Sequence, residues 1–300
     1  MKKREVGRSG LFVSELGLGC MSLPEDQGQA DRIIASAIDA GVNLLDTADL
    51  YGGGTNEELV GRALKGRRQE VILATKAGNR MNADGRTWSW DPSKEHIMEA
   101  VKASLTRLGT DYIDLYQLHG GTIEDDADET IEAFERLKEE GVIRQYGISS
   151  IRPNVIDRFL SDSSAVSVMM QYSMLDRRPE EWFDLITGHS ASVIARGPLA
   201  KGLLTAEGPE RVRTVDSFAE YGQPELTDLI RHLDQKSTSL HAAAIHFCLS
   251  SNAVASVLTG ARTLEQLDDS LRAYETAIPQ EELQQLTELL ARHSYAEHRI

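Results

Sequence analysis

Cysteine is scarce in this sequence, and its two cysteines, Cys20 and Cys248, lie far apart along the chain. Neither belongs to a CxxC pair or to another spacing that metal ligands use, and two distant cysteines do not make a disulfide framework. The eight histidines form no HxH or HxxxH pair at the predicted strand ends, so we predict no metal site. A metal-dependent hydrolase or isomerase is therefore not favoured.

Long hydrophobic runs are also absent, since no apolar run approaches the roughly 20 residues that a helix needs to span a bilayer. The first residues, MKKREVGRSG, contain positive charges but no apolar segment behind them, so a signal peptide is not expected. From these two absences we expect a cytoplasmic globular protein.

Positive charge is in deficit, because 32 Lys and Arg residues stand against 47 Asp and Glu residues and give a formal net charge of −15. A general surface for nucleic acids or anionic membranes is therefore unfavourable. A few local cations still suffice to hold a phosphate-bearing cofactor. We expect a small-molecule partner, with the protein itself a monomer or a small homo-oligomer.

The sequence does contain a regular alternation of short β-like runs with longer helical patterns. The predicted strands are Glu15–Gly19, Val42–Asp46, Val71–Lys76, Tyr112–His119, Val142–Ser150, Ala165–Ser173, Ala191–Leu199 and Ala253–Ala261. Eight strands followed by helices predict a single α/β domain over residues 1–300, a closed (β/α)8 TIM barrel. The rival architecture, an open doubly wound sheet, lacks support because GLGCMS has no third glycine for a dinucleotide-binding turn.

Three segments lie outside the repeating pattern. Residues 2–15 are predicted as an N-terminal β-hairpin that could plug the lower end of the barrel, and Glu281–Arg292 is predicted as an extra C-terminal helix. For Thr205–Gln223 two interpretations are open, a mobile flap or a surface loop.

Polar groups stand at the ends of three consecutive predicted strands. Asp46 ends the second strand, Lys76 the third and His119 the fourth, and Tyr51 follows Asp46 in the connection to the next helix. The carboxyl ends of barrel strands meet at one mouth, so we expect these side chains to be neighbours. Each alone is usually structural, and it is their joint placement that indicates chemistry. We also predict that Thr55 caps the next helix, with Glu58 completing a capping box.

These four residue types suit the polarisation of a carbonyl group. A tyrosine is a poor proton donor at neutral pH, and a neighbouring lysine cation lowers its pKa. An aspartate beside the lysine keeps the ammonium charged and in place. A histidine beside the tyrosine can hydrogen-bond the carbonyl and orient it. A carbonyl held in this way is ready to receive a hydride, so a hydride donor is expected alongside.

The sequence resembles the aldo-keto reductase family, in particular its bacterial NADPH-dependent members. The resemblance rests on LGLGCMSL, DTADLYGGGTNEELVG, DYIDLYQLHG, GVIRQYGISS and GPLAKGLLT, which occur in order over nearly the whole chain. It implies a (β/α)8 barrel that reduces aldehydes or ketones with NADPH. It also implies a catalytic tetrad of Asp46, Tyr51, Lys76 and His119, in which Tyr51 donates the proton.

The resemblance implies a cofactor site along the later strands. Ser149, Ser150 and Gln171 would contact the nicotinamide carboxamide, although the family usually has asparagine where this chain has Ser150. The remaining residues would lie in three places along the cofactor. These are the backbone beneath the ribose, a loop over the pyrophosphate, and the adenosine end. The full implied set comprises Gly19, Cys20, Met21, Asp46, Ser149, Ser150, Gln171, Arg196, Gly197, Pro198, Leu199, Lys201, Gly202, Gly260, Arg262, Gln266, Asp269 and Ser270.

Two departures from the family pattern concern the grip on the cofactor. Arg196 stands where an aromatic residue commonly stacks on the nicotinamide, and its guanidinium could stack there or turn toward the substrate or a phosphate. Gly260 stands where eukaryotic members often have a phosphate-binding lysine. Arg262 is therefore the main candidate for the 2′-phosphate of NADPH, because its donors suit phosphate.

Two further alternatives are open. The chain also resembles the potassium-channel β subunits, which sense a bound nucleotide, but the presence of all four tetrad residues favours an enzyme. The long insertion after the third strand contains Trp88 and Trp90. These aromatic side chains could line a pocket for the apolar part of an aldehyde, or they could pack the loop against its neighbours.

Overall fold

The barrel is closed, as the sequence pattern predicts. The structure is a computed structural model that describes residues 1–82, 84–85 and 87–296. The first to eighth barrel strands are Leu16–Gly19, Leu44–Asp46, Ile72–Ala77, Ile113–Leu118, Ile143–Ser149, Ser167–Gln171, Ser192–Arg196 and Val254–Gly260. Each pairs in parallel with the next, and the eighth pairs with the first. The prediction of a (β/α)8 barrel is confirmed, and the open-sheet alternative is excluded.

Helices pack around the outside of the barrel. In chain order they are α1 Gln27–Asp39, α2 Thr55–Ala63, α3 Lys94–Leu108, α4 Ala127–Glu139, α5 Pro153–Ser161, α6 Phe183–Gly188, α7 Gly208–Arg211, α8 Gln223–Lys236, α9 Leu240–Leu249, α10 Leu264–Glu275 and α11 Gln280–Glu288. Within the described residues, no helix combines the length and the apolar character needed to cross a membrane.

Local capping signals explain where several of these helices begin. The side chain of Asp26 accepts a hydrogen bond from Gln29 N at the start of α1, and Ser93 does the same for α3. The predicted capping box at Thr55 is wrong. The N-cap of α2 is Gly54, in the left-handed region, and the Thr55 hydroxyl donates backward to the carbonyl of Gly52. The Thr55 hydroxyl is therefore bonded to the turn before α2 and does not cap the amides of the first helical turn.

Two apolar layers hold the barrel together. Inside it, Leu44, Leu115 and Ile194 form part of one cluster that extends to the N-terminal hairpin. A second and larger cluster lies between the outer face of the strands and the helices. The strands are therefore covered on both faces, which is why their sequences are nearly continuous apolar runs.

The N-terminal hairpin closes the lower end of the barrel, as predicted. Its strands, Lys3–Glu5 and Phe12–Ser14, pair antiparallel. Val6 and Val13 are fully buried in the inner cluster. At Gly7 the backbone approaches so closely that an added Cβ would lie 2.4 Å from the carbonyl oxygen of Ser190. The hairpin thus seals the end opposite the mouth.

The C-terminal helix is shorter than predicted. α11 ends at Glu288, whereas the sequence pattern continued to Arg292. Beyond the helix, Ala291 N donates to the hydroxyl of Tyr221, 3.0 Å away, rather than to a carbonyl of the preceding turn. A tertiary contact therefore ends the helix.

Two long loops form hairpins at the mouth of the barrel. The insertion after the third strand pairs Asn79–Met81 with Trp88–Trp90. The segment 205–223 contains α7 and a hairpin in which Ser217–Phe218 pairs with Tyr221–Gly222. Phe218 and Tyr221 are buried, so this second segment packs against the barrel rather than extending into solvent.

Candidate active site

The four predicted tetrad residues lie together at the mouth. Asp46 is the last residue of the second strand, Lys76 lies in the third, and His119 directly follows the fourth. Tyr51 begins a short 3-10 turn, Tyr51–Gly54, after the second strand. The three glycines of this turn have φ values of 57°, 63° and 94°, in the left-handed region that glycine adopts at little cost. The glycines thus allow the tight turn that follows Tyr51.

Lys76 and Asp46 form a buried ion pair. The Nζ atom of Lys76 is 2.7 Å from Asp46 Oδ2 and also donates to the carbonyl of Thr47 at 2.7 Å. Lys76 is 1% exposed and Asp46 4% exposed. Burial lowers the pKa of Lys76, but the Asp46 carboxylate and the Tyr51 phenol raise it more, so it lies above its ordinary value. The side chain is therefore held as an ammonium ion.

The Tyr51 hydroxyl accepts a hydrogen bond from this ammonium. The distance from Lys76 Nζ to Tyr51 Oη is 3.4 Å, and the same Nζ lies 5.0 Å from the centre of the phenol ring. Burial raises the pKa of Tyr51, and the nearby Lys76 cation offsets only part of this rise. The predicted lowering by lysine is present as one contribution, but the net direction in the structure is upward because desolvation is the larger effect.

His119 stands beside Tyr51 as a neutral imidazole. The two rings meet edge to face, with centroids 5.9 Å apart. Burial, Lys76 and Arg196 together lower the pKa of His119 to about 3. Its Nδ1 atom is buried without a hydrogen-bond partner among the described residues. A neutral ring with an uncommitted nitrogen can orient a carbonyl oxygen without releasing a proton of its own.

On the opposite side of the mouth, Gln171 and Arg196 are paired ends of the sixth and seventh strands. The Nε2 atom of Gln171 donates to Asp176 at 2.9 Å, and its Oε1 accepts from Arg196 Nη1 at 3.3 Å. The amide is therefore held in one orientation. Arg196 is exposed and has no ion pair within the described residues.

The loop after the seventh strand presents backbone in unusual conformations. Gly197, Lys201 and Gly202 have φ values of 69°, 58° and 87°. A non-glycine residue with positive φ is uncommon and indicates a backbone constrained by its surroundings. Lys201 is exposed, whereas Pro198 is buried and Leu199 is half-buried. This loop can cover a phosphate group with its backbone and its one lysine.

The eighth strand and the start of α10 hold the predicted adenosine end. A Cβ added at Gly260 would lie 2.6 Å from Ser22 Oγ, so a lysine would not fit there without movement. The Arg262 side chain is exposed and has no ion pair in the part of the chain that the structure describes. Its backbone N donates to Gln266 Oε1 at 2.8 Å, which leaves the guanidinium free to meet an anion.

The remaining predicted cofactor residues differ in position and in exposure. Gly19 ends the first strand and pairs with both Asp46 and Gly260, and Ser149 ends the fifth. The following Cys20 is buried, and Met21 is 66% exposed. Ser150 accepts a hydrogen bond from Arg152 N at 3.2 Å.

Besides Gln266, two predicted residues of α10 have partners of their own on the protein. The Ser270 hydroxyl is buried 3.4 Å from His241 Nε2 of α9, and the Asp269 carboxylate forms an ion pair with Arg272. Among the predicted set, these two side chains are engaged away from the tetrad.

Sequence reasoning missed two buried polar residues beside the predicted ones. Gln117 donates to Asp46 Oδ1 at 3.3 Å, and its signal was a lone amide in the apolar run YIDLYQLH. Asp176 accepts from Gln171 and forms an ion pair with Arg178 at 2.7 Å. Both partners of Asp176 lie close to it in sequence, Gln171 at the end of the sixth strand and Arg178 two residues on, but MLDRR does not indicate that this carboxylate is buried.

Known proteins resemble this chain over nearly its whole length. Residues 15–291 match the model of the Aldo/keto reductase family. An uncharacterized oxidoreductase, YqkF of Bacillus subtilis (strain 168), is 51% identical over 305 aligned positions that cover 100% of both chains.

Solved structures of one enzyme match over the full length. The holo form of the aldo-keto reductase AKR11C1 from Bacillus halodurans has a TM-score of 0.92 at 52% identity and covers 100% of both chains. The apo form of the same enzyme has a TM-score of 0.84 at 49% identity, again covering 100% of both chains. The backbone described above is therefore similar to that of a cofactor-binding relative.

Proposed function

The chain belongs to the Aldo/keto reductase family, and we propose that it is an NADPH-dependent reductase of aldehydes and ketones. An oxidoreductase activity with a nicotinamide cofactor and a small carbonyl substrate follows from the family. The choice of NADPH and the roles of individual residues are the proposal. Its main support is the buried Lys76 ammonium, 2.7 Å from Asp46 and 3.4 Å from the Tyr51 hydroxyl.

Tyr51 is assigned as the proton donor. As charge develops on the carbonyl oxygen, the phenol releases its proton to that oxygen, and the resulting phenolate is stabilised by Lys76. Asp46 keeps the ammonium in place through a hydrogen-bonded ion pair. The cofactor, when bound, supplies the hydride. Burial raises the pKa of Tyr51 and keeps the phenol protonated, and the Lys76 cation is the contribution that favours proton release.

His119 is assigned to orientation rather than to acid catalysis. With a pKa of about 3 it is neutral across the physiological range, so a ring N–H can hydrogen-bond the substrate oxygen without competing as a proton donor. Tyr51 and His119 meet edge to face, and together they define one point where a carbonyl oxygen can be held.

The fit to a dinucleotide phosphate rests on the later strands. Gln171 presents its Oε1 toward Arg196, and it can accept from a carboxamide amino group in the same orientation. The loop 197–202 and the exposed Lys201 suit a pyrophosphate, and Arg262 suits a 2′-phosphate. Preference for NADPH over NADH is assigned to Arg262.

The substrate is assigned to the class of small carbonyl compounds with an apolar part. Met21 is 66% exposed at the mouth, and an added Cβ at Gly53 would lie 3.1 Å from the Cε atom of Met81. Met81, which lies beside the Tyr51 turn, is 39% exposed and offers an adaptable apolar surface.

A substrate panel tests the proposed function. Small aldehydes, α-dicarbonyls and sugars are incubated with the protein and NADPH, and the loss of NADPH absorbance is followed. We expect turnover with at least one class, and a much lower rate when NADH replaces NADPH. Tight NADPH binding without turnover of any carbonyl would instead indicate a nucleotide-sensing subunit.

A further inference from the structure

Trp90 lies across two chain segments that leave the barrel at the mouth. It ends the hairpin after the third strand, and its six-membered ring rests on Gly78 and Gly120. A Cβ added at Gly78 would lie 2.8 Å from the ring, and one added at Gly120 would lie 3.0 Å from it. Only glycine at both positions leaves space for the indole. These two glycines flank the ends of the strands from which Lys76 and His119 project.

The indole nitrogen is also fixed. Trp90 Nε1 donates to Asp125 Oδ1 at 2.9 Å. The same carboxylate accepts from the amide of Thr122 at 2.6 Å and from its hydroxyl at 2.7 Å. Asp125 and Thr122 belong to the loop that begins at His119. The side chain of Trp90 therefore connects the third-strand hairpin to both ends of that loop.

The His119 ring meets Tyr51 edge to face, and its carbonyl accepts from Asn79 Nδ2 at 3.4 Å, but neither contact reaches the loop that follows. The Nδ1 atom of His119 has no hydrogen-bond partner among the described residues, so no hydrogen bond to that nitrogen sets the ring angle. Its backbone N donates to Ala77 O at 2.7 Å, but the next two residues, Gly120 and Gly121, have φ values of 144° and 124°. Consecutive glycines make this part of the chain conformationally permissive. Side chains from outside this segment hold it, since Arg152 donates to the carbonyl of Gly121 and the Trp90 ring contacts Gly120.

We infer that Trp90 is a positioning residue, which fixes the loop 119–125 and thereby the imidazole of His119 above Tyr51. The inference rests on the role proposed for His119. It differs from the alternative in which Trp90 lines a pocket for the apolar part of the substrate. A positioning residue changes kcat through His119, whereas a pocket residue changes KM according to the size of the substrate.

The first test is a double-mutant cycle with Trp90→Leu and His119→Gln. Because small displacements of an orienting group reduce the rate strongly, we expect Trp90→Leu to lower kcat about tenfold with little change in KM. In the His119→Gln background the same substitution is expected to cause no further loss. Trp90→Phe, which keeps a ring over the glycines but removes the N–H, is expected to lie between wild type and Trp90→Leu.

Equal losses in the two backgrounds would overturn the inference, and so would a rise in KM that grows with the apolar size of the substrate at constant kcat. Trp90→Phe also provides the comparison if Trp90→Leu does not fold. Its loss must likewise disappear in the His119→Gln background.

The second test does not depend on activity. Hydrogen exchange of the amides in residues 119–126 is measured on the full chain, for wild type, Trp90→Phe and Trp90→Leu, with Trp88→Phe as the matched control in the same hairpin. We expect faster exchange in both Trp90 variants and wild-type exchange in Trp88→Phe. Unchanged exchange in the Trp90 variants would refute the positioning role. Faster exchange without any carbonyl turnover would instead show that the proposed function has failed.

Discussion

The charged side chains on the two halves of the mouth differ in burial and in pairing. On the side of the second to fourth strands, Asp46 and Lys76 are almost completely buried and paired at 2.7 Å. On the side of the seventh and eighth strands, Arg196, Lys201 and Arg262 are exposed and form no ion pair within the described residues. We refer to these three cations as the cation group.

This difference separates two tasks. A buried pair has already been desolvated during folding, so its geometry is fixed before any substrate arrives. Exposed cations cost little to keep hydrated and gain their partner only when an anion binds. The half to which we assign proton transfer is therefore preorganised, and the half that would hold the phosphates is open to its ligand.

The largest expected effect is on turnover and comes from a substitution on the buried half of the mouth. Tyr51→Phe removes the proposed proton donor and should lower kcat by roughly 10²- to 10⁴-fold, the usual range for general acid catalysis. Because the phenol lies on the buried half, NADPH affinity measured by fluorescence titration should remain near the wild-type value. Full activity in this variant would show that another group supplies the proton.

A matched pair of lysine substitutions tests the difference in burial. Lys76→Met leaves the Asp46 carboxylate buried without its cation, and we expect a loss of about 3–5 kcal/mol in the free energy of unfolding. Lys201→Met, in the cation group, should change it by no more than about 0.5 kcal/mol. Urea unfolding of both variants provides the measurement. Similar losses in the two would mean that the halves do not differ in the way described.

A third prediction concerns cofactor choice. If Arg262 binds the 2′-phosphate, Arg262→Ala should remove charge-assisted hydrogen bonds of about 1.5–3 kcal/mol, so NADPH affinity falls roughly ten- to a hundredfold. NADH lacks this phosphate and should bind almost as before. Arg272→Ala, farther along α10, is the control, since Arg272 already pairs with Asp269. Equal losses for both cofactors would place the 2′-phosphate elsewhere.

A fourth prediction concerns the pH dependence of stability. The pKa of His119 is lowered from 6.5 to about 3 in the folded chain, so between these values the unfolded chain binds the extra proton. Stability from the neutral histidine is present above pH 6.5 and is lost as the pH falls toward 3. The slope is at most about 1.4 kcal/mol per pH unit. Urea unfolding of His119→Gln between pH 7 and pH 4 should show a shallower slope than wild type, and equal slopes would contradict this.

Much of the fold could be predicted because its signals are local. Apolar runs of strand length and turn residues located all eight barrel strands, and a helical pattern located α11. α9 was not located because it is buried nearly all round and therefore has no apolar stripe. α6 has only six residues, too few to establish a helical period.

The candidate site also has a part that could be predicted from the sequence and a part that could not. The positions of Asp46, Tyr51, Lys76 and His119 could be predicted because strand ends converge in any barrel. The contacts of Gln117 and Trp90 could not, because Gln117 meets Asp46 on another strand and Trp90 meets Asp125 on another loop. The direction of a side chain between two loops depends on how both fold.

The sequence by itself determined which residue types occupy the ends of the barrel strands, because strand periodicity and turn chemistry are written in neighbouring residues. Only the tertiary structure decided the electrostatic outcome. Burial raises the pKa of Tyr51 despite the adjacent Lys76, since desolvation depends on every atom packed around the phenol. The tertiary structure also determined that Trp90 contacts Gly120 and Asp125, because those contacts require two loops to meet in space.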